Sequence, residues 1–337
     1  MNAIHVCPST LQEGFTTYSP KALRQLFNGK KVSHRLKYMV RDAQKEQRTL
    51  LTENRTRISI SGVQEKFSMR LEKKELVLTD KMGEYILKPT PTDLDFVHDV
   101  PANEHLTMQI ATQVFKLDVA KNAIIFFADD DPAYITKRFD VMPDGNRCLK
   151  EDFASLLQKT SELQGNKHFK YESSYFEMGK AIDKFLPSSI VAKEKLFQLC
   201  VFNYLIGNGD AHLKNFSVID YHQDGLYQLA PAYDLLCTRL HIEDGDFALE
   251  DRLYENDYKH ESYAHYGFHA YDDFYDFGIM MGLIPKRITN FLHNFLTKEK
   301  EVESFVARSF LSDELKPVYL KHYYDKLNRL KCSLKRL

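Results

Sequence analysis

Ile206-Gly207-Asn208-Gly209-Asp210-Ala211-His212-Leu213-Lys214-Asn215-Phe216 is the stretch on which the reading of this chain turns. It follows residues 193–206, which are apolar nearly all round, the pattern of a helix buried on every side. A loop leaving such a helix is anchored rigidly. Asp210 and Asn215 stand five residues apart in it. At that spacing one loop presents a carboxylate to a hydroxyl and an amide oxygen to a hard divalent ion.

Downstream, residues 215–219 read as a strand, Asp224-Gly225 as a turn, and Leu229-Ala230-Pro231 as an apolar approach to Ala232-Tyr233-Asp234. We expect Asp234 to end a second short strand. A hairpin then brings Asn215 and Asp234 to the same end, where a carboxylate and an amide suit Mg²⁺. Turn and cap duty is the plainer role for Asp210 or Asp234 taken singly. A rival pattern shares the stretch: Asn208, Asp210 and His212 alternate, with His222 near, as in a transition-metal hydrolase. The sequence offers no second compact His/carboxylate cluster to complete it.

Phosphoryl transfer needs a cradle for phosphates, a cation to neutralise them and a carboxylate beside the attacking hydroxyl. Ser59-Ile60-Ser61-Gly62-Val63-Gln64-Glu65-Lys66 supplies a small flexible turn whose N–H groups can face phosphate, with Gly62 free to adopt the required torsions. Read alone it is an ordinary hairpin. Lys88 closes the apolar run Tyr85-Ile86-Leu87-Lys88-Pro89, and Glu104 stands near the start of a helix at residues 102–115. The two can pair to hold the ammonium toward phosphates. Singly, each reads as a surface lysine and a dipole-placed glutamate.

Around these parts the chain divides by pattern. Short apolar runs at 57–60, 67–71, 75–79, 84–88, 122–127 and 133–138 predict strands. Helical spacing follows at 175–185, 193–206, 286–296, 298–309 and 313–330. We therefore expect an α+β chain: an extension at 1–56, a β-rich lobe at 57–145 and a helical lobe at 146–337. The boundary falls at the turn Pro143-Asp144-Gly145. Residues 34–50, rich in Lys, Arg, Gln and Glu, read as a surface helix or a strap. The Tyr- and His-rich stretch 252–275 reads as a connection packed on the helical lobe by its rings, with a lid as the alternative.

Composition narrows the function. The 337 residues are 43% hydrophobic and 28% charged, with 46 Lys+Arg against 47 Asp+Glu. That balance does not favour direct nucleic-acid binding, which draws on a basic excess. Five scattered cysteines, with no CxxC pair, fit reduced thiols in a cytoplasmic protein. Neither a signal-peptide pattern nor an apolar run of membrane-spanning length appears.

Taken in order, Ser-Ile-Ser-Gly-Val-Gln-Glu-Lys (59–66), Tyr-Ile-Leu-Lys-Pro (85–89), Asn-Glu-His (103–105), Lys-Arg-Phe-Asp (137–140), Gly-Asp-Ala-His-Leu-Lys-Asn-Phe (209–216) and Pro-Ala-Tyr-Asp (231–234) resemble the HipA family. These are bacterial serine/threonine kinase toxins of toxin–antitoxin modules. The resemblance implies a two-lobed protein-kinase-like fold and the cofactors ATP and Mg²⁺. It implies Asp210 as catalytic, and Asn215 and Asp234 as metal ligands. Ser61, Gly62, Gln64, Lys66 and Lys88 would meet the phosphates. Lys137, Arg138 and Phe139 would form the hinge that reads adenine through backbone groups, with Asp140 near the ribose and Glu104 supporting Lys88. His212 and Lys214 lie in the catalytic loop. Family members are inhibited by autophosphorylation of a loop serine, which maps to Ser59 or Ser61. Their substrates include aminoacyl-tRNA synthetases. Only 58 residues precede Ser59, so the chain resembles the short, HipT-like branch. That branch implies a separate small antitoxin resembling the missing N-terminal subdomain, and a helix-turn-helix DNA-binding partner. A nucleotide-binding co-regulator without transferase activity and a small-molecule kinase use the same residues and stay open.

Overall fold

The computed structural model describes residues 4–46, 65–92, 94–142, 144–165, 168–256 and 258–335. The expected strand at 57–60 and the site residues Ser59, Ser61, Gly62 and Gln64 lie outside them.

Five strands form the first sheet: β1 (Phe67–Glu72), β2 (Glu75–Leu78), β3 (Tyr85–Pro89), β4 (Asn122–Phe126) and β5 (Pro132–Lys137), in the order β2-β1-β3-β5-β4 and antiparallel throughout. Period-two alternation splits their side chains between two faces. Tyr85 and Leu87 enter a core with Phe67, Met69, Ile125 and Ile135. Lys88, one residue on, faces the other way, opposite Tyr134. That second face is covered by α2 (Val100–Gln109), whose residues are all buried, and whose last turn widens to a π-helix at Ile110–Val114.

The first face is closed by the N-terminal residues. Helix α1 (Pro20–Phe27) has Ser19 as N-cap, its hydroxyl accepting the Ala22 N–H, and a left-handed Asn28 as its stop. Its Leu26 and Phe27 join the sheet's core. Edge strand β4 is not open. Ile124 N–H donates to the Pro8 carbonyl, and residues 34–36 run parallel beside Phe126. The described part of the expected extension is thus built into the β-rich lobe, and residues 40–46 of the basic stretch are helical.

The chain leaves β5 and turns at Gly145, whose φ of +88° permits the left-handed bend. Strands β6 (Leu149–Asp152), β7 (Ser217–Asp220) and β8 (Gln228–Leu229) form a small second sheet. Helices α3 (Phe153–Leu156), α4 (Ser161–Gln164), α5 (Tyr175–Phe185) and α6 (Ser189–Ile206) intervene between β6 and β7. As its sequence pattern demands, α6 is the buried axis of this lobe. After β8 come α7 (Glu261–Tyr266), α8 (Tyr271–Met280), α9 (Pro285–Leu296), α10 (Glu299–Ala307) and α11 (Leu315–Lys331). Helices α5, α9 and α11 pack on α6. One apolar cluster runs from α2 through α6 to α11, so the lobes share a core. The Tyr/His stretch packs inward as read, with Tyr254 and His269 buried and the Tyr254 hydroxyl donating to the Asp273 carbonyl. Among the described residues no helix is long and apolar enough to cross a membrane.

Candidate functional site

The site lies where the inner face of the first sheet meets the loops flanking β7 and β8. Lys88 is 4% exposed there. Its Nζ donates to Glu104 Oε1 at 2.6 Å and to Asp234 Oδ1 at 2.5 Å. Glu104 is not a surface dipole residue. The helix begins at Val100, with Pro101 in its first turn, so Glu104 falls in the buried second turn, 1% exposed. Burial pushes its carboxyl up, and the Lys88 ammonium draws it back. Burial alone would weaken Lys88's hold on its proton, but Asp234 and Glu104 raise it above the ordinary lysine value.

Asp234 follows the bridge between Val119 and Ala232, which ties the segment to the first lobe. Its φ of +57° turns the chain away from the strand direction at that point. The expectation that it ends a strand needs adjusting: β8 stops at Leu229, and Asp234 sits on the left-handed turn after the bridge. Desolvation would raise its carboxyl, yet Lys88 and then Lys66 outweigh it and hold the group at about 2. Lys66 Nζ stands 3.9 Å from Asp234 Oδ2.

Asn215 closes a 3₁₀ turn, Leu213–Asn215, rather than opening the strand. His212 N–H donates to its Oδ1 at 3.2 Å, and its Nδ2 donates to Asp234 Oδ2 at 3.4 Å. Asn215 and Asp234 are therefore neighbours, as the hairpin reading required. Their chemistry suits a hard cation: Asp234 offers a carboxylate already deprotonated, and Asn215 an amide beside it.

Asp210 stands half-buried on the same loop. Its Oδ1 accepts the Tyr171 hydroxyl at 2.9 Å. His212, between Asp210 and Asp234, is 7% exposed. Burial takes its imidazole down to about 4 despite the Asp210 carboxylate. The neutral ring's Nε2 lies 2.9 Å from Lys170 Nζ and accepts from that ammonium. Lys170 and Tyr171 carry no motif and escaped the sequence reading. They reach the loop because Leu213 N–H donates to the Lys170 carbonyl, a long-range contact without a sequence signature. The loop is pinned from behind as well. Gly209 N–H donates to Thr238 Oγ1 at 2.8 Å, and a Cβ on Gly209 would fall on the Asp244 carboxylate.

Of the expected hinge, Phe139 packs against Tyr233, the residue before Asp234. The two rings lie 5.7 Å apart, with Lys150 Nζ within 6 Å of each; Lys150 was not anticipated. Asp140 is bound by Arg138 at 2.6 Å and Arg147 at 3.5 Å. Two side chains of the expected set lie at the surface, Lys137 Nζ donating to Asn28 and Lys214 Nζ to Asp152; the hinge role implied for Lys137 runs through its backbone. For the hydrolase pattern, Asn208 spends its amide on Asn203 Oδ1, and His222 lies on the β7–β8 turn where its N–H caps Asp220.

With this geometry in place, the likeness to known proteins is specific. The family model HipA-like C-terminal domain matches residues 58–301. A Haemophilus influenzae protein provisionally named a kinase is 28% identical, covering 95% of this chain and 94% of its own. The Shewanella oneidensis serine/threonine-protein kinase toxin HipA is 25% identical over 56% of this chain and 45% of its own length. Among solved structures, a chain of the Shewanella oneidensis HipA, HipB and operator DNA complex aligns with a TM-score of 0.59 at 20% identity, covering 84% of this chain and 68% of that one. The Helicobacter pylori kinase CtkA aligns at 0.53 and 18% identity, over 78% and 90%. The fold is thus kinase-like.

Proposed function

The chain belongs to the HipA-like C-terminal domain family, and from that premise we propose that it is a Mg²⁺- and ATP-dependent protein serine/threonine kinase, the toxin of a bacterial toxin–antitoxin module. One observation carries the reading. Lys88 Nζ touches carboxylates from two elements, Glu104 and Asp234, while Asn215 lies against Asp234. A buried lysine oriented by a helix glutamate, beside a carboxylate–amide pair, is the layout phosphoryl transfer uses.

Each residue then has a task. Asp210 takes the hydrogen bond of the acceptor serine and aims its oxygen, with Tyr171 fixing the carboxylate. Lys88 neutralises phosphate oxygens. Asn215 and Asp234 hold Mg²⁺, which when bound supplies charge neutralisation at the phosphates. Phe139 and Tyr233 flank the base, and Asp140 stands toward the ribose. Ser59 or Ser61 is the autophosphorylation site, where a phosphate's added charge opposes that of the nucleotide. An aminoacyl-tRNA synthetase is the substrate class we propose. The partners are a small antitoxin and a helix-turn-helix DNA-binding protein, in keeping with the HipB and operator DNA named for the Shewanella complex.

The test is incubation with Mg-ATP, with phosphosite mapping on the chain and on an added cell lysate. Phosphoserine is expected in both. Asp210→Asn should cut transfer by roughly 10²–10⁴-fold. Transfer within tenfold of wild type in that variant would remove Asp210 from the role. Nucleotide binding with no transfer by the wild type would leave a nucleotide-binding regulator instead.

A further inference from the structure

A cavity of about 520 Å³ opens behind the catalytic loop. Three segments wall it: Asp95 and Phe96 from the β3–α2 connection, residues 239–244 downstream of Asp234, and Glu314 with the first turns of α11. It is coupled closely to the site. Thr238, which accepts the Gly209 N–H, donates its own hydroxyl to the Asp244 carboxylate. His241 bridges the Asp95 carbonyl and Asn103, the neighbour of Glu104.

The chemistry of this cavity is one-sided. Its floor holds buried Leu240 and Leu315, and its rim exposes Phe96 at 49% and Ile242 at 42%. Four carboxylates line it, Asp95, Glu243, Asp244 and Glu314, against one guanidinium, Arg239. That guanidinium is already engaged, donating to Asp246 at 2.8 Å and to the Asp244 carbonyl at 3.2 Å. Burial lowers both imidazoles, His241 and His322, so neither adds positive charge near neutral pH. Among the described residues no ion pair reaches Asp95, Glu243 or Glu314. Asp244 is the cavity's one paired carboxylate: its Oδ1 stands 3.8 Å from Arg239 Nε, an ion pair too long for a hydrogen bond, and its other oxygen accepts from Thr238.

We propose that this cavity docks the acceptor-bearing segment of the protein substrate through a Lys or Arg side chain beside an apolar residue. This deepens the kinase reading and rests on it. A long basic side chain fits the mixture, its stem on Phe96 and Ile242 and its head among the carboxylates. A bare metal ion does not fit, because among the described residues no three His, Cys, Asp or Glu side chains gather to ligate one. A nucleic acid or an acidic peptide meets like charge. The position suits a substrate: the wall continues the chain that carries Asp234 and backs the glycine preceding Asp210.

The test uses fluorescein-labelled Leu-Arg-Arg-Ala-Ser-Leu-Gly and its counterpart with both arginines replaced by glutamate, titrated with the whole chain by anisotropy without nucleotide. The basic peptide should bind about tenfold tighter at low ionic strength, and the gap should close with salt. The double variant Glu243→Arg/Glu314→Arg, at exposed positions, should prefer the acidic peptide. Equal binding of both peptides by the wild type overturns the proposal. So does an unchanged preference in a double variant that melts like the wild type. Should that variant not fold, Glu243→Gln and Glu314→Gln singly should each narrow the gap about threefold, and no narrowing is equally decisive. Because nucleotide is left out, the two readings fail separately. Peptide preference without phosphotransfer sinks the kinase; phosphotransfer without preference sinks the docking site.

Discussion

Tyr171 is the side chain whose part in the site no motif announces. Its hydroxyl is a neutral donor set on the Asp210 carboxylate, and its ring lies edge-on to His212, with Lys170 Nζ 4.8 Å from the ring centroid. A hydrogen bond to a charged group contributes about 1.5–3 kcal/mol. If that bond holds Asp210 in the orientation that meets a serine hydroxyl, Tyr171→Phe should lower kcat by roughly tenfold or more while moving the KM for ATP far less. Steady-state kinetics against ATP and a serine peptide separate the two parameters. A variant that raises only the KM for ATP would place Tyr171 on nucleotide binding instead. The sequence could not supply this residue, since the pairing spans 39 positions and depends on how the loop ending at Lys170 lies against Leu213.

Helix α2 shows what was legible and what was not. Its existence followed from apolar spacing, and the Asn-Glu-His run fell inside it. What the pattern could not show is that both sides of the helix are covered, by the first sheet and by the helical lobe. Periodicity reports one apolar stripe; this helix buries Asn103, Glu104, His105 and Thr107 too. The same limit hid the role of the N-terminal residues, which close a sheet edge through single long-range bonds such as Ile124 N–H to the Pro8 carbonyl. The apolar run after Asn215 suggests strand from that residue on, but the His212 N–H bond to Asn215 Oδ1 and the Asn215 N–H bond to the His212 carbonyl hold it in a turn. His105 gives the helix a measurable signature. Its Nε2 lies 2.9 Å from the Ser9 carbonyl and acts as the donor, leaving a buried Nδ1 without a partner. Burial holds the ring at about 4 against an ordinary 6.5. The unfolded chain therefore takes up this proton first. The penalty is absent above pH 6.5, grows as pH falls toward 4, and is full below that. It amounts to about 3 kcal/mol. His105→Gln keeps a donor for Ser9 and removes the titration, so urea unfolding between about pH 7 and pH 4.5 should lose about 2–3 kcal/mol less in the variant than in the wild type. Parallel pH curves for the two proteins would show that the ring is not held neutral.

For the molecule as a whole, the Lys88 clasp is the polar counterpart of the shared apolar core. It joins a strand of the first sheet, the helix behind it and the turn carrying Asp234, and its members are far from equally buried. Side-chain exposure is 5% for Lys88, 2% for Glu104 and 26% for Asp234. Removing the central cation strands one carboxylate in the interior and one at the cleft. Lys88→Met should therefore cost about 3 kcal/mol of unfolding free energy, with most of the loss traced to Glu104, because Asp234 can still draw on water and Lys66. The double variant Lys88→Met/Glu104→Gln should recover part of that loss, since a neutral amide no longer needs the ammonium. A double-mutant cycle on urea unfolding reads the coupling directly, and at least about 1 kcal/mol is expected between Lys88 and Glu104. Repeating the cycle with Asp234→Asn should give the smaller coupling, its charge being partly solvated. Additive losses in the Lys88–Glu104 cycle would mean that the pair contributes only packing. The lobes would then be joined by their common apolar cluster and by hydrogen bonds such as those of the Val119–Ala232 bridge, with the lysine placed for the cleft and not for the fold.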